Sequence, residues 1–476
     1  MNTSESLDAI FNPKSVAVIG ATADTSKWGY MFVNAIKVGG FKGQIYPVNP
    51  KAAEIGNILD YPVFPNLAAI PGEVDCAIIL VPAKVVPGVF TEMVDKKVKG
   101  AVVITSGFGE TGDEGAKLIA DVKNRAAGNF RFVGPNCMGI SSSESKLSAL
   151  MVPVVSEKGD VAFVSQSGGY GLQLLLRANA MGVGISRFVS SGNETDLKGW
   201  EYCKYFSEDA ETKVICMYIE GLKEGRKWYE SVKEITKKKP VVVIKVGVTE
   251  AGGKAAASHT GSIAGSDKVY DAAFKQSGVI RAQDAVEMFD FVKGLLYCPL
   301  PKGPNIGIVS NSGGVAVETA DRLVSNNLNI PTLSAEAQEE LKTIVPAFGN
   351  TKNPVDMTAN LNIWNLGNAA EIVLKQPEIH GLITIGLGTA MIKAMFPDVD
   401  QETITGLIKT IDNNLVKSYK KFDKPVIVIE PSADAEPESA KIIESQRIPV
   451  FTTPERAADV MGVLYRRKQY LEKVVQ

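Results

Sequence analysis

The chain has 476 residues, of which 45% are hydrophobic and 22% are charged, and its formal net charge is −2. This composition is typical of a globular protein with sizeable cores, and the length predicts about three domains. The near-neutral charge argues against nucleic acid or an anionic membrane as a partner. No apolar run is long enough to cross a bilayer, and the first residues do not resemble a signal peptide.

Cysteine and histidine are scarce in this sequence. The five cysteines are scattered without a Cys-x-x-Cys pair, and there are only two histidines. A zinc site built from these residue types is therefore not expected, and we predict no metal site on this chain. Unpaired cysteines are typical of a reducing compartment, so we expect a cytoplasmic protein.

Short apolar runs rich in Val and Ile alternate with helical stretches in the first part of the chain. Continuous runs of this kind predict parallel strands that are covered on both faces. The alternation predicts a Rossmann-like, doubly wound α/β domain over residues 1–145. The runs occupy residues 15–20, 44–49, 76–82, 101–107 and 131–136.

Two later parts of the chain resemble each other at both ends. DVAFVSQSGGYG at 160–171 and NIGIVSNSGGVA at 305–316 each predict a strand, a Ser-x-Ser-Gly-Gly turn and a helix. Residues 278–291 and 449–464 each predict a short strand followed by an amphipathic helix. We interpret this as a duplicated α/β domain, over 155–298 and 303–476, with a linker over 141–160.

The end of the first predicted strand carries small residues that precede a helix. Gly20, Ala21 and Thr22 form this turn, which lacks the full Gly-x-Gly-x-x-Gly pattern of dinucleotide-binding domains. The carboxyl ends of parallel strands meet at one edge of a sheet, where ligands bind, and Lys27 and Lys51 near this edge offer charge to a phosphate. A nucleotide-like ligand is therefore expected here; ordinary surface turns are the alternative.

The turn SQSGG, which begins at Ser165, also joins a strand to a helix. Backbone N–H groups at a helix start attract anions, and Ser165 and Ser167 add hydroxyl donors. A plain helix cap is the alternative, and the second copy of the turn at 310–314 leaves open which copy holds an anion.

His259 lies in the small-residue stretch KAAASHTGSIAG, which cannot contribute much to a core. Such a stretch predicts a loop that approaches another group closely, and an imidazole presented by it can act as a nucleophile. A helix is expected to begin after Ser266 and to end before Gly278. Glu220, at the end of a predicted strand, could fix one ring nitrogen of His259. His380 is interpreted as structural.

Together these motifs resemble the alpha subunit of NDP-forming, also called ADP-forming, acyl-CoA synthetases, which are related to succinyl-CoA synthetase. The resemblance extends over almost the whole chain, and its most specific part is the histidine motif followed by Gly-Ser-Ile-Ala-Gly. The matching motifs, in the order of the family, are GATADTSKWG, PVNPK, GPNCMG, VSQSGG, YIEG and ASHTGSIAG.

The resemblance implies a role for each site residue. It implies that the second and third domains are flavodoxin-like, that His259 is transiently phosphorylated and oriented by Glu220, and that Asn136 lies near the acyl group. The implied phosphate-binding residues are Ser165, Gln166, Ser167, Gly168 and Gly261. The implied coenzyme A-binding residues are Gly20, Ala21, Thr22, Lys27, Lys51, Val81, Pro82, Thr105 and Ser106.

The implied reaction is acyl-CoA + phosphate + ADP ⇌ carboxylic acid + CoA + ATP, through an acyl phosphate. The family also needs an ATP-grasp module for ADP or ATP and Mg²⁺, and the three α/β domains leave no region for it in this sequence. We therefore expect a separate beta subunit, an α2β2 hetero-oligomer, and a third domain that serves mainly in assembly. The carboxylic acid and the choice between ADP and GDP stay open.

Two other functions remain as alternatives. A regulatory protein that binds CoA or acyl-CoA would keep the fold without turnover, although the intact SHTG, SQSGG and YIEG motifs argue against it. An NAD-dependent oxidoreductase would need an acidic residue after the second strand, where this chain has PVNPK.

Overall fold

The computed structural model describes residues 2–154, 158–254, 266–358, 365–386, 389–434 and 437–475. The chain forms two compact units, Met1–Phe289 and Asp290–Gln476. The first unit contains two large sheets and the second contains one.

The first sheet is formed near the N-terminus and its apolar strands are covered by helices. Its strands are β1 Ser15–Ile19, β2 Gln44–Val48, β5 Cys76–Ile79, β6 Gly100–Val103 and β7 Arg131–Val133. Between β2 and β5, the strands β3 Asn57–Ile58 and β4 Tyr61–Pro62 form a small separate hairpin. The helices are Thr3–Phe11, Trp28–Val38, Ala52–Ile55, Val86–Asp95 and Asp113–Ala126, with 3-10 turns at Ala83–Val85 and Gly109–Thr111. The five parallel strands follow the order β2-β1-β5-β6-β7, which confirms the predicted doubly wound domain.

The second sheet lies in the same unit. Its strands are β8 Gly139–Ser142, β9 Leu147–Leu150, β10 Val161–Ser165, β11 Ile185–Ser190, β12 Val214–Ile219, β13 Val241–Lys245 and β14 Ile280–Ala282. The helices are Gly168–Ala180, Gly199–Glu208, Gly225–Lys238 and Asp267–Ser277, and the next helix, Ala285–Tyr297, begins in the first unit and ends in the second. The sheet order is β14-β13-β12-β10-β11-β8-β9, and its five parallel strands repeat the connectivity of the first sheet.

The predicted linker over 141–160 is wrong in its first part. Residues 139–150 form a hairpin in which β8 pairs antiparallel with β11, and β9 extends the sheet beyond β8. The hairpin was missed because its strands contain serine where strands usually carry branched apolar residues. These serines are buried, and the Ser148 hydroxyl donates to the carbonyl oxygen of Val154 at 3.2 Å.

The third sheet forms the second unit. Its parallel strands, in the order β16-β15-β17-β18-β19, are β15 Ile306–Ser310, β16 Val355–Asp356, β17 Gly381–Ile385, β18 Val426–Ile429 and β19 Val450–Phe451. The helices are Gly313–Ser325, Ala335–Leu341, Asn365–Lys375, Thr389–Met395, Gln401–Tyr419, Pro437–Ser445 and Pro454–Val475. Within the ranges given above, no helix is both long and apolar enough to cross a membrane.

The predicted duplication is confirmed in detail at the two Ser-x-Ser-Gly-Gly turns. The Ser165 hydroxyl donates to the carbonyl oxygen of Ser167 at 2.7 Å, and the Ser310 hydroxyl donates to that of Ser312 at 2.8 Å. Each turn follows the first parallel strand of its sheet, and the parallel strands of the two sheets have the same connectivity. The turn is therefore part of the fold, and a ligand role for either copy depends on what surrounds it.

Candidate active site

The carboxyl edge of the first sheet brings the predicted coenzyme A-binding residues together. The N–H groups of Gly20 and Ala21 both donate to the carbonyl oxygen of Val48, at 3.0 and 3.2 Å. The Asn49 side chain in turn donates to the carbonyl oxygen of Ala21 at 2.7 Å. The Ala21 side chain is fully buried, so it packs inside the domain and offers no contact to a ligand.

Glycine is required at this first turn. Gly20 has φ +94°, a conformation that L side chains rarely adopt. A Cβ on Gly29 would lie 2.2 Å from the carbonyl oxygen of Gly20, so the helix starting at Trp28 packs directly against the turn. Thr22, the residue after Ala21, is half-buried and accepts the Asp24 N–H at 3.2 Å.

The remaining coenzyme A candidates differ in what they offer. Lys27 and Lys51 are exposed and make only weak ion pairs within their own turns, at 3.4 Å and 3.7 Å. The Thr105 hydroxyl donates to the carbonyl oxygen of Val81 at 2.7 Å, and thus fixes the two loops after β5 and β6 to each other. Pro82 and Ser106 are exposed at the same edge.

A cleft of about 240 Å³ lies between this edge and the start of the second sheet. It brings together five residues that the sequence analysis assigned to chemistry, namely Asn136, Gln166, Ser167, Gly168 and Glu220, and also Ser106 from the first sheet. The other lining residues are Trp28, Ile104, Cys137, Met138, Gly169, Gly192, Asn193, Glu194, Gly221 and Lys223.

The floor of the cleft is the start of the helix Gly168–Ala180. Ser167 occupies the N-cap position but makes no side-chain capping bond, and the first turn of the helix contains no acidic residue. The N–H groups of a first helical turn have no partner within the helix, and Gly168 and Gly169 place this positive dipole end at the cleft. A Cβ on Gly168 would lie 2.6 Å from the Met138 side chain, whereas Gly169 borders open space. This is an arrangement suited to an anion.

Gln166 connects this turn to the turn that carries Glu220. Its Oε1 accepts the N–H groups of Glu220 and Gly221, at 2.7 and 3.0 Å. Its Nε2 donates to the carbonyl oxygen of Gly221 at 2.8 Å and to Glu194 Oε1 at 3.2 Å. The resemblance implies that Gln166 cradles the phosphoryl group. Here the amide oxygen accepts two bonds and the amide nitrogen donates two, all with protein groups, so Gln166 holds the turn of Glu220 next to the helix start.

Glu220 itself follows β12 and lines the cleft with its side chain partly exposed. His259 and Gly261 lie outside the described residues, so their predicted roles stay predictions. The helix that follows them is as expected: it spans Asp267–Ser277, with Ser266 at the N-cap and Gly278 in the left-handed conformation at the C-terminus.

The loop after β11 contributes cleft residues that sequence reasoning missed. Glu194 is buried, and its Oε1 accepts from the Ser191 hydroxyl at 2.9 Å as well as from Gln166. Burial raises the pKa of Glu194, while the bonds from Ser191 and Gln166 act in the opposite direction. The available signal was a polar loop, SSGNETD, after a buried strand at the same sheet edge as the SQSGG turn.

The same loop docks on the GPNCMG segment. The Asn193 N–H donates to the carbonyl oxygen of Pro135 at 3.0 Å, and the Asn136 side-chain amide lies 3.4 Å from Asn193 Oδ1. Gly192 has φ +57°, and a Cβ there would lie 2.5 Å from the carbonyl oxygens of both Pro135 and Asn136. The predicted acyl-site residue and the predicted phosphate turn are thus connected through one tightly packed loop.

His380 has a structural environment. Its Nδ1 accepts the N–H of Asn305 at 3.2 Å, and a Cβ on Gly303 would lie 2.5 Å from the imidazole ring. Burial lowers the pKa of His380, with the charges of Lys424 and Lys468 acting in the same direction. In the described part of the chain, no group of three or more His, Cys, Asp or Glu side chains is placed to hold a metal ion.

Three family models match consecutive parts of the chain. A CoA binding domain matches residues 14–143, a succinyl-CoA ligase-like flavodoxin domain matches 158–295, and a Ligase-CoA domain matches 306–474. The fold and the cleft therefore define a CoA ligase of the succinyl-CoA ligase type, with the predicted pair of domains after the CoA-binding domain.

Individual relatives are similar over nearly the whole chain. The alpha subunit of the ADP-forming acetate–CoA ligase II of Pyrococcus furiosus is 38% identical over 472 residues, which is 98% of each chain. A solved structure of the dinucleotide-forming acetyl-coenzyme A synthetase 1 of Ca. Korarchaeum cryptofilum, in complex with phosphate and ADP, superposes with a TM-score of 0.89 at 34% identity over 99% of both chains. The chain belongs to the family of alpha subunits of ADP-forming acyl-CoA ligases, which are acid–thiol ligases.

Proposed function

We propose that this chain catalyses acyl-CoA + phosphate + ADP ⇌ carboxylic acid + CoA + ATP, together with a partner subunit, through an acyl phosphate and a phosphorylated His259. The observation that carries the proposal is the cleft, in which the helix start at Gly168, the strand-end Glu220 and Asn136 meet. Phosphoryl transfer depends mainly on positioning and on stabilisation of charge, and this cleft supplies both.

The proposed sequence begins with CoA at the edge of the first sheet and the thioester reaching toward Asn136. Phosphate bound at the helix start attacks the thioester carbonyl carbon, the carbon–sulfur bond breaks, and CoA leaves as the thiol after taking a proton. His259 then attacks the phosphorus of the acyl phosphate, and the carboxylate leaves. Glu220 accepts the N–H of the other ring nitrogen, which aims the nucleophilic nitrogen and stabilises the charge that develops on the ring.

The nucleotide half of the reaction is assigned to a partner. A single-chain ADP-forming acetate–CoA ligase of Archaeoglobus fulgidus is 37% identical over 97% of this chain, but the match covers only 63% of that longer protein. The additional length of that relative supports a partner for this chain, which we propose to be a beta subunit with an ATP-grasp domain that binds ADP or ATP and Mg²⁺, in an α2β2 assembly. All five cysteines are free thiols, which supports a cytoplasmic location.

The test is phosphorylation of the histidine in the complete ligase. The chain and its partner are incubated with labelled phosphate and a panel of acyl-CoAs, and acid-labile, base-stable label on the chain is measured. We expect label on the wild-type chain and none on His259→Ala. His380→Gln is the matched control, because it changes the other histidine while keeping an acceptor for the Asn305 N–H, and it should label normally.

Two results would contradict the proposal. Label that persists in His259→Ala would place the phosphoryl group on another residue. Absence of label in the wild-type complex, while CoA still binds, would favour the non-catalytic CoA-sensing protein.

A further inference from the structure

Lys223 is a basic side chain that faces the cleft and that no motif identified. It follows the YIEG turn and lies next to the helix Gly225–Lys238. Its Nζ donates to the carbonyl oxygen of Asn193 at 2.7 Å, which holds the ammonium group over the loop after β11. An ammonium group carries three donors, so this bond anchors Lys223 while the ammonium can still donate to a ligand.

The two turns next to the helix start are connected by side-chain hydrogen bonds. Gln166 donates to the Gly221 carbonyl oxygen and to the Glu194 carboxyl group, and Lys223, two residues after Gly221, donates to Asn193, the neighbour of Glu194. Lys223 is exposed, and its bond to Asn193 holds the ammonium group beside the cleft that Gly168 and Gly169 also line.

The charged side chains that line the cleft indicate that an anionic ligand there needs a cationic partner. Among the described residues that line the cleft, the ionisable acidic and basic side chains are Glu194, Glu220 and Lys223. Glu194 is fully buried and its pKa is raised by burial, which favours its neutral form. Glu220 carries a negative charge that would repel an anion, so an anionic ligand here needs a cationic partner besides the helix dipole.

We propose that Lys223 binds the inorganic phosphate substrate, and the acyl phosphate formed from it, as the positively charged partner of the helix start at Gly168. The inference rests on the proposed function and adds a residue to its substrate site. Lysine suits this role because a compact ammonium can follow a phosphoryl group as its geometry changes, whereas a guanidinium would favour one fixed bidentate arrangement.

The experiment compares Lys223→Met with Lys227→Met and Lys223→Arg. Lys227 lies four residues further on, is exposed and pairs with Glu224 at 3.3 Å, so it matches the change in net charge without lining the cleft. Removing a charged hydrogen bond should raise the KM for phosphate about 10- to 100-fold in Lys223→Met, with the KM values for acyl-CoA and ADP changed less than about twofold. Lys223→Arg, which keeps the charge but not the compact ammonium, should recover only part of the loss, and Lys227→Met should match the wild type.

A second measurement separates this inference from the proposed relay. Binding of inorganic phosphate to the isolated full-length chain is followed by titration calorimetry, which requires no turnover. Weaker binding only in Lys223→Met supports the inference even if His259 is never labelled. Unchanged phosphate binding and KM in Lys223→Met, or an equal loss in Lys227→Met, would overturn it. Label on His259 from labelled ATP in the Lys223→Met complex would show that the relay itself is intact.

Discussion

Replacement of Gln166 by leucine tests whether the cleft depends on the contacts described above. The change removes the acceptor of the Glu220 and Gly221 N–H groups and the donor to Glu194 and Gly221 while keeping a similar volume. A net hydrogen bond is worth about 1 kcal/mol, and each N–H left buried without a partner costs about 1–3 kcal/mol. Both N–H groups are only partly buried, so each is taken at about 1–2 kcal/mol, which gives about 2–4 kcal/mol for holding Glu220 in place.

If that energy maintains the catalytic geometry, Gln166→Leu should lower kcat about 100-fold, since each 1.36 kcal/mol is a factor of ten in rate. CoA release from acyl-CoA is followed with a thiol reagent at saturating phosphate and ADP. Asn311→Leu is the matched control, because Asn311 occupies the same position in the second Ser-x-Ser-Gly-Gly turn. A Gln166→Leu enzyme within about threefold of the wild type would refute the reasoning.

Two further predictions concern stability. Gly192→Ala should lower the free energy of unfolding of the first unit by about 2–4 kcal/mol in urea, because the backbone is left-handed there and the new Cβ would contact the Asn136 carbonyl oxygen. Gly182→Ala is the control: its φ is +71° but open space surrounds it, so it should cost only about 1 kcal/mol. Burial raises the pKa of Asp412 from 3.8 to about 7, so its folded form keeps a proton that the unfolded form releases, and stability falls as pH rises between these values. Asp412→Asn should therefore protect β17 and β18 from hydrogen exchange by up to about 4 kcal/mol at pH 8 but by less than about 1 kcal/mol at pH 4, and equal effects at both pH values would contradict this.

Much of the fold could be predicted because its strands have a simple chemical signature. Runs such as Val161–Ser165 and Val241–Lys245 are buried throughout, since helices cover both faces of the sheet, and burial on both faces selects continuous apolar sequence. The hairpin of β8 and β9 has no such signature. Ser141, Ser142 and Ser148 are buried, and the Ser148 hydroxyl donates to the backbone of Val154, but a composition-based interpretation cannot distinguish such serines from those of a polar linker.

The positions of the site residues that depend on sheet topology could be predicted from the sequence. The positions that depend on the direction of a side chain could not. The turn at Ser165–Gly168 and the strand end at Glu220 lie at one sheet edge by topology, and the structure brings both to the cleft. The sequence does not show that the Gln166 amide turns toward Glu220. It also does not show that Glu194 and Lys223, which belong to no motif, point into the same space, because tertiary packing alone decides these directions.

The hairpin also determines where the protein can be divided. β8 and β9 follow the first sheet in the chain, yet they pair with β11 of the second. A fragment that starts at residue 158 would lose them and leave β11 as a bare edge strand, open to pairing with other chains. A fragment that stops at residue 145 would retain β8 without its partner strand β11. The CoA-binding domain and the domain with the SQSGG turn are thus connected by the strands β8 and β9. Neither domain can be exchanged between proteins without disrupting the second sheet.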